Sequence, residues 1–403
     1  MMSADVRANR RIRVLKIAEL TAFHIRIPLR KKVKHASYTR STTDNILVRC
    51  VLDNKIEGYG EGVPREYVTG ENIDGDLELL KKSDLAAQLE PCRDFDQVLG
   101  VAERLKLAST ADDDRECLGN AARCAVELAL LDAYGRHFGC PLSEVTRRLS
   151  PACYSPQERT RYSGAITSAN TPFKVRLASF RLWVWGFRDI KIKIGIQGHD
   201  DVARLKNVRR RLGWKRDLRA DANEAWQADE AIERIRALEP YKPSALEQPI
   251  PHEQLQRLPE IRKHVNTPIM LDESLCSMVD AERAVDTQSC DLFNIRLSKC
   301  GGFIPSLRLV EFARAKGIGY QLGCQIGETA LLSAAGRHFA TSVADLRYRE
   351  GSYDKHLVLE TLGKRDITFG WGGWGAALTA PGLSIEPDPQ ALARVTVRKV
   401  ALL

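Results

Sequence analysis

No two of the ten cysteines stand in a CxxC pair: Cys50, Cys92, Cys117, Cys124, Cys140, Cys153, Cys276, Cys290, Cys300 and Cys324 are dispersed along 403 residues. Zinc sites and dithiol redox centres need thiolates at short spacing, so neither is supported. A chain of this length also has no need of a disulfide framework. Reduced, mostly buried thiols in a cytoplasmic protein are the expectation. No window is apolar over the length of a membrane span, and "MMSADVRANRRIRVLK" lacks the apolar core of a signal peptide. No membrane partner is expected, and residues 1–12 read as a disordered tail. Gly-x-Gly-x-x-Gly follows none of the candidate strands, which weakens a dinucleotide-binding sheet. The formal net charge is +9, but Lys and Arg often stand beside Asp and Glu, as in "DDVARLKNVRRRLGWKRD". The densest run, Arg209 to Arg211, reads as a solvated helix face, and nucleic acid is not an expected partner.

What is present is a large core and a change of rhythm. Hydrophobic residues make up 44% of the chain, enough for two domains. The first region reads as antiparallel strands followed by helices. "VLKIAELTAFHIRIPL" alternates, and "NILVRCVLDNKIEGYGEG" reads as a hairpin turning at Asp53-Asn54. "CLGNAARCAVELALLDAYGRHFG" has a helical period and stops at Gly139 ahead of Pro141. From about Arg161 short apolar strands alternate with amphipathic helices: "RYSGAITS", "RDIKIKIG", "DLRADANEAW", "PSALEQPI", "TPIMLDES", "CDLFNIRLSKCGG", "IGYQLGCQIGE" and "ADLRYREG". Eight such strands predict a (β/α)8-type barrel, with a doubly wound open sheet as the rival. "ARVTVRKVAL" reads as a last strand returning to the first domain. The expected division is a capping domain of α+β type over 13–155, a barrel over 156–365 and a returning segment over 366–403.

One polar residue marks the C-terminal end of six successive strands: Lys193, Asp221, Glu247, Asp272, Lys299 and Glu328, at gaps of 28, 26, 25, 27 and 29. In a barrel that end is the mouth, where active sites are built. Three converging carboxylates suit a hard divalent cation, Mg2+ first and Mn2+ as the alternative. Lys191 and Lys193 lie two apart and so face the same way on a strand. A lysine held near another cation and away from water loses its proton more readily and can serve as a base. Lysines on both faces of a carbon allow 1,1-proton transfer, and one base alone allows elimination or cycloisomerisation.

Taken in order, "KIKIG", "RADANEAW", "LEQPI", "MLDES", "FNIRLSKCGG" and "CQIGET" closely resemble the enolase superfamily, and within it the muconate lactonizing enzyme subgroup. The cap stretch "GYGEGVPREYVTGE" is similar as well, so the resemblance spans essentially the whole chain after the N-terminal tail. It implies a modified TIM barrel with an N-terminal capping domain. It also implies metal ligands at Asp221, Glu247 and Asp272, with Asn223 supporting them, and acid/base lysines at Lys193 and Lys299. Lys191 would tune Lys193. Glu328 would orient Lys299 or begin the next helix. The implied chemistry is Mg2+-dependent removal of a proton α to a substrate carboxylate through a metal-stabilised enediolate. The product follows from cycloisomerisation of a muconate-like diacid or from epimerisation of an amino acid or dipeptide. A syn-dehydratase of the o-succinylbenzoate synthase type is an alternative, and a non-catalytic protein that retains the fold is another. The partners implied are a small-molecule carboxylate and further copies of the chain.

The sequence departs from some members. A racemase with a His base would need it at the end of the seventh strand, and the nearest, His338, lies in a helical pattern. Dipeptide epimerases often carry an Asp-x-Asp near the eighth strand to hold the substrate amine. Here "DLRYREGSYDKH" offers Glu350 or Asp354 in its place, unless the substrate has no amine. Specificity is expected in the loops "RKKVKHASYTR" and "PREYVTGE", through Lys32, His35, Tyr38, Arg65 and Tyr67, with Thr167 and Asp354 as further candidates. Cys300 and Cys324 read as small wall residues.

Overall fold

The computed structural model describes residues 14–34, 39–108, 113–167 and 171–403. The tail expected over 1–12 lies outside them, as do His35 and Tyr38.

Strands β1 (Ile17–Lys34), β2 (Thr39–Leu52) and β3 (Glu57–Gly62) run antiparallel, and β11 (Thr396–Ala401) pairs with β1 to give the order β11-β1-β2-β3. The β2–β3 hairpin turns where the sequence predicts, with Lys55 at φ 70° and its N–H bonded to the Leu52 carbonyl at 2.8 Å. Helices α1 (Ile73–Lys82) and α2 (Phe95–Arg104) begin at side-chain caps, Asn72 and Asp94, which accept from Gly75 N and Gln97 N. Helix α3 (Asn120–Phe138) ends at Gly139, in the left-handed region at φ 69°. It is buried almost all round, as a helix sandwiched between two layers must be.

The alternating glycines of "EGYGEG" have a specific cause. A Cβ on Gly58 would lie 2.1 Å from Ala133 N, one on Gly60 2.1 Å from Ala125 O, and one on Gly62 1.9 Å from Ala121 O. Helix α3 puts alanine at four-residue intervals against β3, so backbone meets backbone with no room for side chains. Gly60→Ala must therefore push the helix off the sheet, and a loss of about 1–3 kcal/mol or more is expected in denaturant titration. An unchanged midpoint would show that the packing relaxes at no cost.

The second sheet is parallel and follows sequence order: β4 (Gly164–Ile166), β5 (Asp189–Lys193), β6 (Asp217–Asp221), β7 (Leu246–Glu247), β8 (Ile269–Leu271), β9 (Leu292–Ile295) and β10 (Gly319–Leu322). Between and after them lie α4 (Pro172–Val184), α5 (Asp201–Leu212), α6 (Ala228–Leu238), α7 (Leu258–Lys263), α8 (Met278–Asp286), α9 (Phe303–Lys316) and α10 (Ala330–Ser342). The eighth expected strand forms no regular ladder, but its backbone closes the sheet. Leu322 N bonds to Tyr348 O at 3.1 Å and Glu350 N to Leu322 O at 2.8 Å, while Ser163 N, just before β4, bonds to Arg349 O at 2.9 Å. The fold is an (β/α)8-type barrel with an antiparallel capping domain. Among the described residues no helix is long and apolar enough to cross a membrane. All ten cysteines are free and nine are buried.

Buried carboxylates of the capping domain start two barrel helices. Glu127 accepts from Phe303 N at 2.6 Å and Ile304 N at 3.0 Å, opening α9. Glu61 accepts from Leu332 N at 3.0 Å and from the Thr329 hydroxyl at 2.7 Å, opening α10. The two domains are thus locked where the barrel presents Lys299 and Glu328.

Candidate active site

Strand register builds the site. Lys193 pairs with Asp221, Asp221 with Glu247, and Glu247 with Met270, so the first three stand in one row at the C-terminal edge of β5, β6 and β7. Asp272 follows directly after β8, and Lys299 lies in the turn beyond β9. The row therefore has a lysine at each end and three buried carboxylates between, and barrel closure bends it into a cup.

The carboxylates are compensated by cations from the barrel wall. The Lys191 ammonium lies 3.3 Å from Asp221, 3.3 Å from Glu247 and 2.9 Å from Glu350. Arg296 donates to Asp272, lies 3.7 Å from Glu247, and donates to Gln325 Oε1 at 3.0 Å. Lys299 donates to Asp272 Oδ1 at 2.9 Å, to the Asp272 carbonyl at 2.6 Å and to the Asn294 carbonyl at 2.8 Å. Asn294 Nδ2 donates to Glu247 at 2.8 Å. Asn223, held at φ 44°, donates its backbone N–H to Asp221 Oδ1 at 3.1 Å and its Nδ2 to Glu273 at 3.4 Å. A conformation that costs a non-glycine residue energy is used here to turn the chain directly after Asp221.

The carboxylates differ in charge state. Burial and the adjacent Asp221 push Glu247 up to about 8, despite Lys191. Burial would also raise Asp272, but the charges of Arg296 and Lys299 override it and hold that carboxyl down at about 2. Burial opposes charging of Lys191, yet Glu247, Glu350 and Asp221 keep it a cation well above the ordinary lysine range. Lys299 is raised as well, because Asp272 outweighs its burial.

The donor set fits a hard divalent cation. Three carboxylate groups face one another, and Glu247 gives up its proton only with reluctance, a condition that added positive charge would relieve. Among the described residues, the group whose ligand atoms all lie within 4.8 Å of one another is a different one, Glu224, His252 and Glu253 at the rim. The mouth carboxylates stand wider apart, since Lys191 and Arg296 reach in among them.

A family model described as "Enolase C-terminal domain-like" matches residues 176–391, more than half of the chain. The L-Ala-D/L-Glu epimerase of Clostridium acetobutylicum is 31% identical over 327 residues, which cover 79% of this chain and 85% of that protein. The chain belongs to the enolase superfamily. Solved members of the superfamily superpose on it closely. The N-succinyl Arg/Lys racemase of Bacillus cereus has a TM-score of 0.81 at 25% identity, covering 96% of this chain and 99% of that one. A dipeptide epimerase from Enterococcus faecalis, solved with Mg and the dipeptide L-Leu-L-Tyr, has a TM-score of 0.78 at 26% identity, covering 92% and 99%. This enolase-superfamily chain is accordingly an enzyme of the isomerase class.

Several expectations change when placed in the barrel. Lys191, expected beside Lys193 as a second cation, has its charge met by three carboxylates. Lys299 is held charged rather than neutral. Glu328 does not reach Lys299: its carboxyl accepts from Gln325 N, and burial pushes it up to about 8. Arg65 is fully buried; its two Nη groups donate to the carbonyls of Pro64 and Ile326 and to the Thr43 hydroxyl, at 2.6, 2.6 and 2.7 Å, while its Nε has no partner among the described residues. It ties the cap to the segment before Glu328 from inside the protein rather than from an exposed loop. Glu350 is taken by Lys191 and by Arg219, the latter at 2.7 Å. His338 is buried within α10 beside Ser384 and is a packing residue. Lys32 and Thr167 are exposed, and Tyr67 is half-buried under the Arg40 guanidinium, 5.4 Å from the ring centre. Asp354 is buried and its Oδ1 has no hydrogen-bond partner among the described residues.

Sequence reasoning missed Arg296 and Asn294, although both lie within the quoted "FNIRLSKCGG". They fall at spacing three and five before Lys299; β9 sets Asn294 against Glu247, and the turn after β9 brings Arg296 onto Asp272.

Proposed function

We propose that this enzyme epimerises the α-carbon of a small carboxylate substrate, a dipeptide or an N-acylated amino acid, by proton transfer between Lys193 and Lys299. The observation that carries the reading is the bracketing of three buried carboxylates by two lysines in a closed parallel barrel. A divalent cation held by Asp221, Glu247 and Asp272 would supply positive charge beside the substrate carboxylate, where negative charge builds as the α-proton leaves.

The chain's own groups do the rest. Lys299, held charged by Asp272, enters as the acid in one direction, and Lys193 takes the proton from the opposite face of the α-carbon. The two exchange roles in reverse, so each lysine serves one enantiomer. Arg296 keeps Asp272 ionised, and Lys191 offsets the charge that Asp221, Glu247 and Glu350 place in one buried space. Incubation in D2O with Mg2+ tests the reading: pooled dipeptides and N-succinyl amino acids should gain one deuterium at the α-carbon with inversion, read by mass spectrometry. Exchange in neither pool, with Mg2+ binding demonstrated, would sink the proposed substrate class.

Asp354 separates the two kinds of substrate. With Glu350 engaged, it is the carboxylate in the eighth segment left to receive a free α-amine, and burial pushes it up to about 7. It is therefore ionised above that pH and neutral below. The kcat/KM for a dipeptide, divided by that for an N-succinyl amino acid to cancel the lysines, should fall about tenfold per unit as pH drops below about 7. Asp354→Asn should flatten the ratio. A ratio independent of pH in the native enzyme would remove Asp354 from amine binding.

A further inference from the structure

The positive charge is less evenly spread than the sequence reading holds. Residues 172–188 and 201–217, which contain α4 and α5, hold eleven basic side chains and two acidic ones. That excess equals the net +9 of the whole chain, so the remaining residues balance at fifty of each sign. Among the described residues no carboxylate pairs with Arg176, Arg181, Arg210, Arg211 or Lys215.

Helix α4 also carries apolar side chains on its outer side. Val175 and Ser179 of α4 face the barrel and are buried. Phe173, Leu177, Phe180 and Val184 form a second stripe at spacing four, three and four, and all are exposed, Phe173 by 66%. Trp183 and Trp185 extend it, the latter stacked on exposed Trp371 with ring centres 6.0 Å apart. Arg211 lies 5.8 Å from the Phe180 ring, Arg216 5.9 Å from Trp183, and Arg209 5.2 Å from exposed Trp214. Aromatic tips and cations therefore share one continuous face. A shallow basic depression lined by Arg209, Trp214, Lys215 and Lys242 adjoins it.

We propose that this face of α4 and α5 binds the surface of an anionic phospholipid bilayer, with the rings entering the headgroup boundary and the cations meeting lipid phosphates. Helices that lie on membranes pair an apolar stripe of Trp, Phe and Leu with flanking Lys and Arg. Other occupants fit less well. A second copy of the chain across a two-fold axis would set these cations against themselves. Single-stranded nucleic acid needs free ring faces for stacking. Here Phe180 and Trp183 stack on each other, and guanidinium groups cover further faces. That no helix among the described residues is long and apolar enough to span does not bear on this, since surface attachment needs none.

Co-sedimentation tests the proposal. The native protein should pellet with phosphatidylcholine–phosphatidylglycerol vesicles at about 0.05 M salt, not with phosphatidylcholine alone, and release as salt shortens the screening length. Tryptophan emission should shift to the blue on binding. Arg176→Glu with Arg181→Glu should weaken partitioning at least tenfold, and Phe180→Ser with Trp183→Ser should abolish the shift, with unchanged thermal melts showing that both variants fold. Failure to pellet with the anionic vesicles would overturn the proposal. So would binding that survives both double substitutions, tighter binding to an oligonucleotide or to polyglutamate than to vesicles, or a soluble dimer that the same substitutions dissociate.

Discussion

Lys193→Ala and Lys299→Ala should each lower kcat for epimerisation by about a thousandfold, within the range that a positioned acid or base contributes. The two losses should differ in kind. Lys193→Ala should still exchange the α-proton of the enantiomer that faces Lys299, and Lys299→Ala that of the opposite enantiomer, so deuterium enters each variant from one antipode only. The argument rests on placement. Lys193 ends β5 in register with Asp221, and Lys299 follows β9 against Asp272, so the lysines approach from the two ends of the carboxylate row. Exchange of both antipodes by either single variant would show that one base serves both faces, and the two-lysine mechanism would be lost. Lys299→Arg should fare no better than alanine. Its guanidinium keeps the charge beside Asp272 but does not give up a proton.

Lys191→Met should cost about 3–5 kcal/mol, the expected penalty for leaving buried charge uncompensated. The Lys191 ammonium is what holds Asp221, Glu247 and Glu350 in one desolvated space. With it gone, Glu247, already reluctant to ionise, should hold its proton more tightly still. The variant should melt several degrees lower in EDTA and recover part of the loss in excess Mg2+, because a ligand that binds only the folded state stabilises it by mass action. The native protein should respond less. Equal melting of the two in EDTA would show that Lys191 is not the counter-charge. Full loss with no Mg2+ response would mean that Asp221, Glu247 and Asp272 do not form a cation site.

Much of this site was legible along the chain because its parts recur locally. Each strand-helix unit has nearly constant length, so one functional side chain per unit appears at gaps between 25 and 29. The strand ends of β5, β6 and β7 fell where that spacing put them. The hairpin at Lys55 and the helix stop at Gly139 were legible for the same reason: each is decided by a few adjacent residues. Arg65 was misread as a loop contact because nothing near it in sequence shows that Ile326, 261 positions away, supplies its carbonyl. Glu350 was offered to a substrate amine because its two cations come from other strands.

The amino-acid sequence by itself determined which side chains stand at the barrel mouth, since strand alternation and repeat length are properties of neighbours along the chain. Only the tertiary structure decided how their charges are balanced. Arg296 meets Asp272 across 24 residues once β8 and β9 pair, and Lys191 meets Glu350 across 159 only once the last segment has bonded to both Leu322 and Ser163 and closed the sheet.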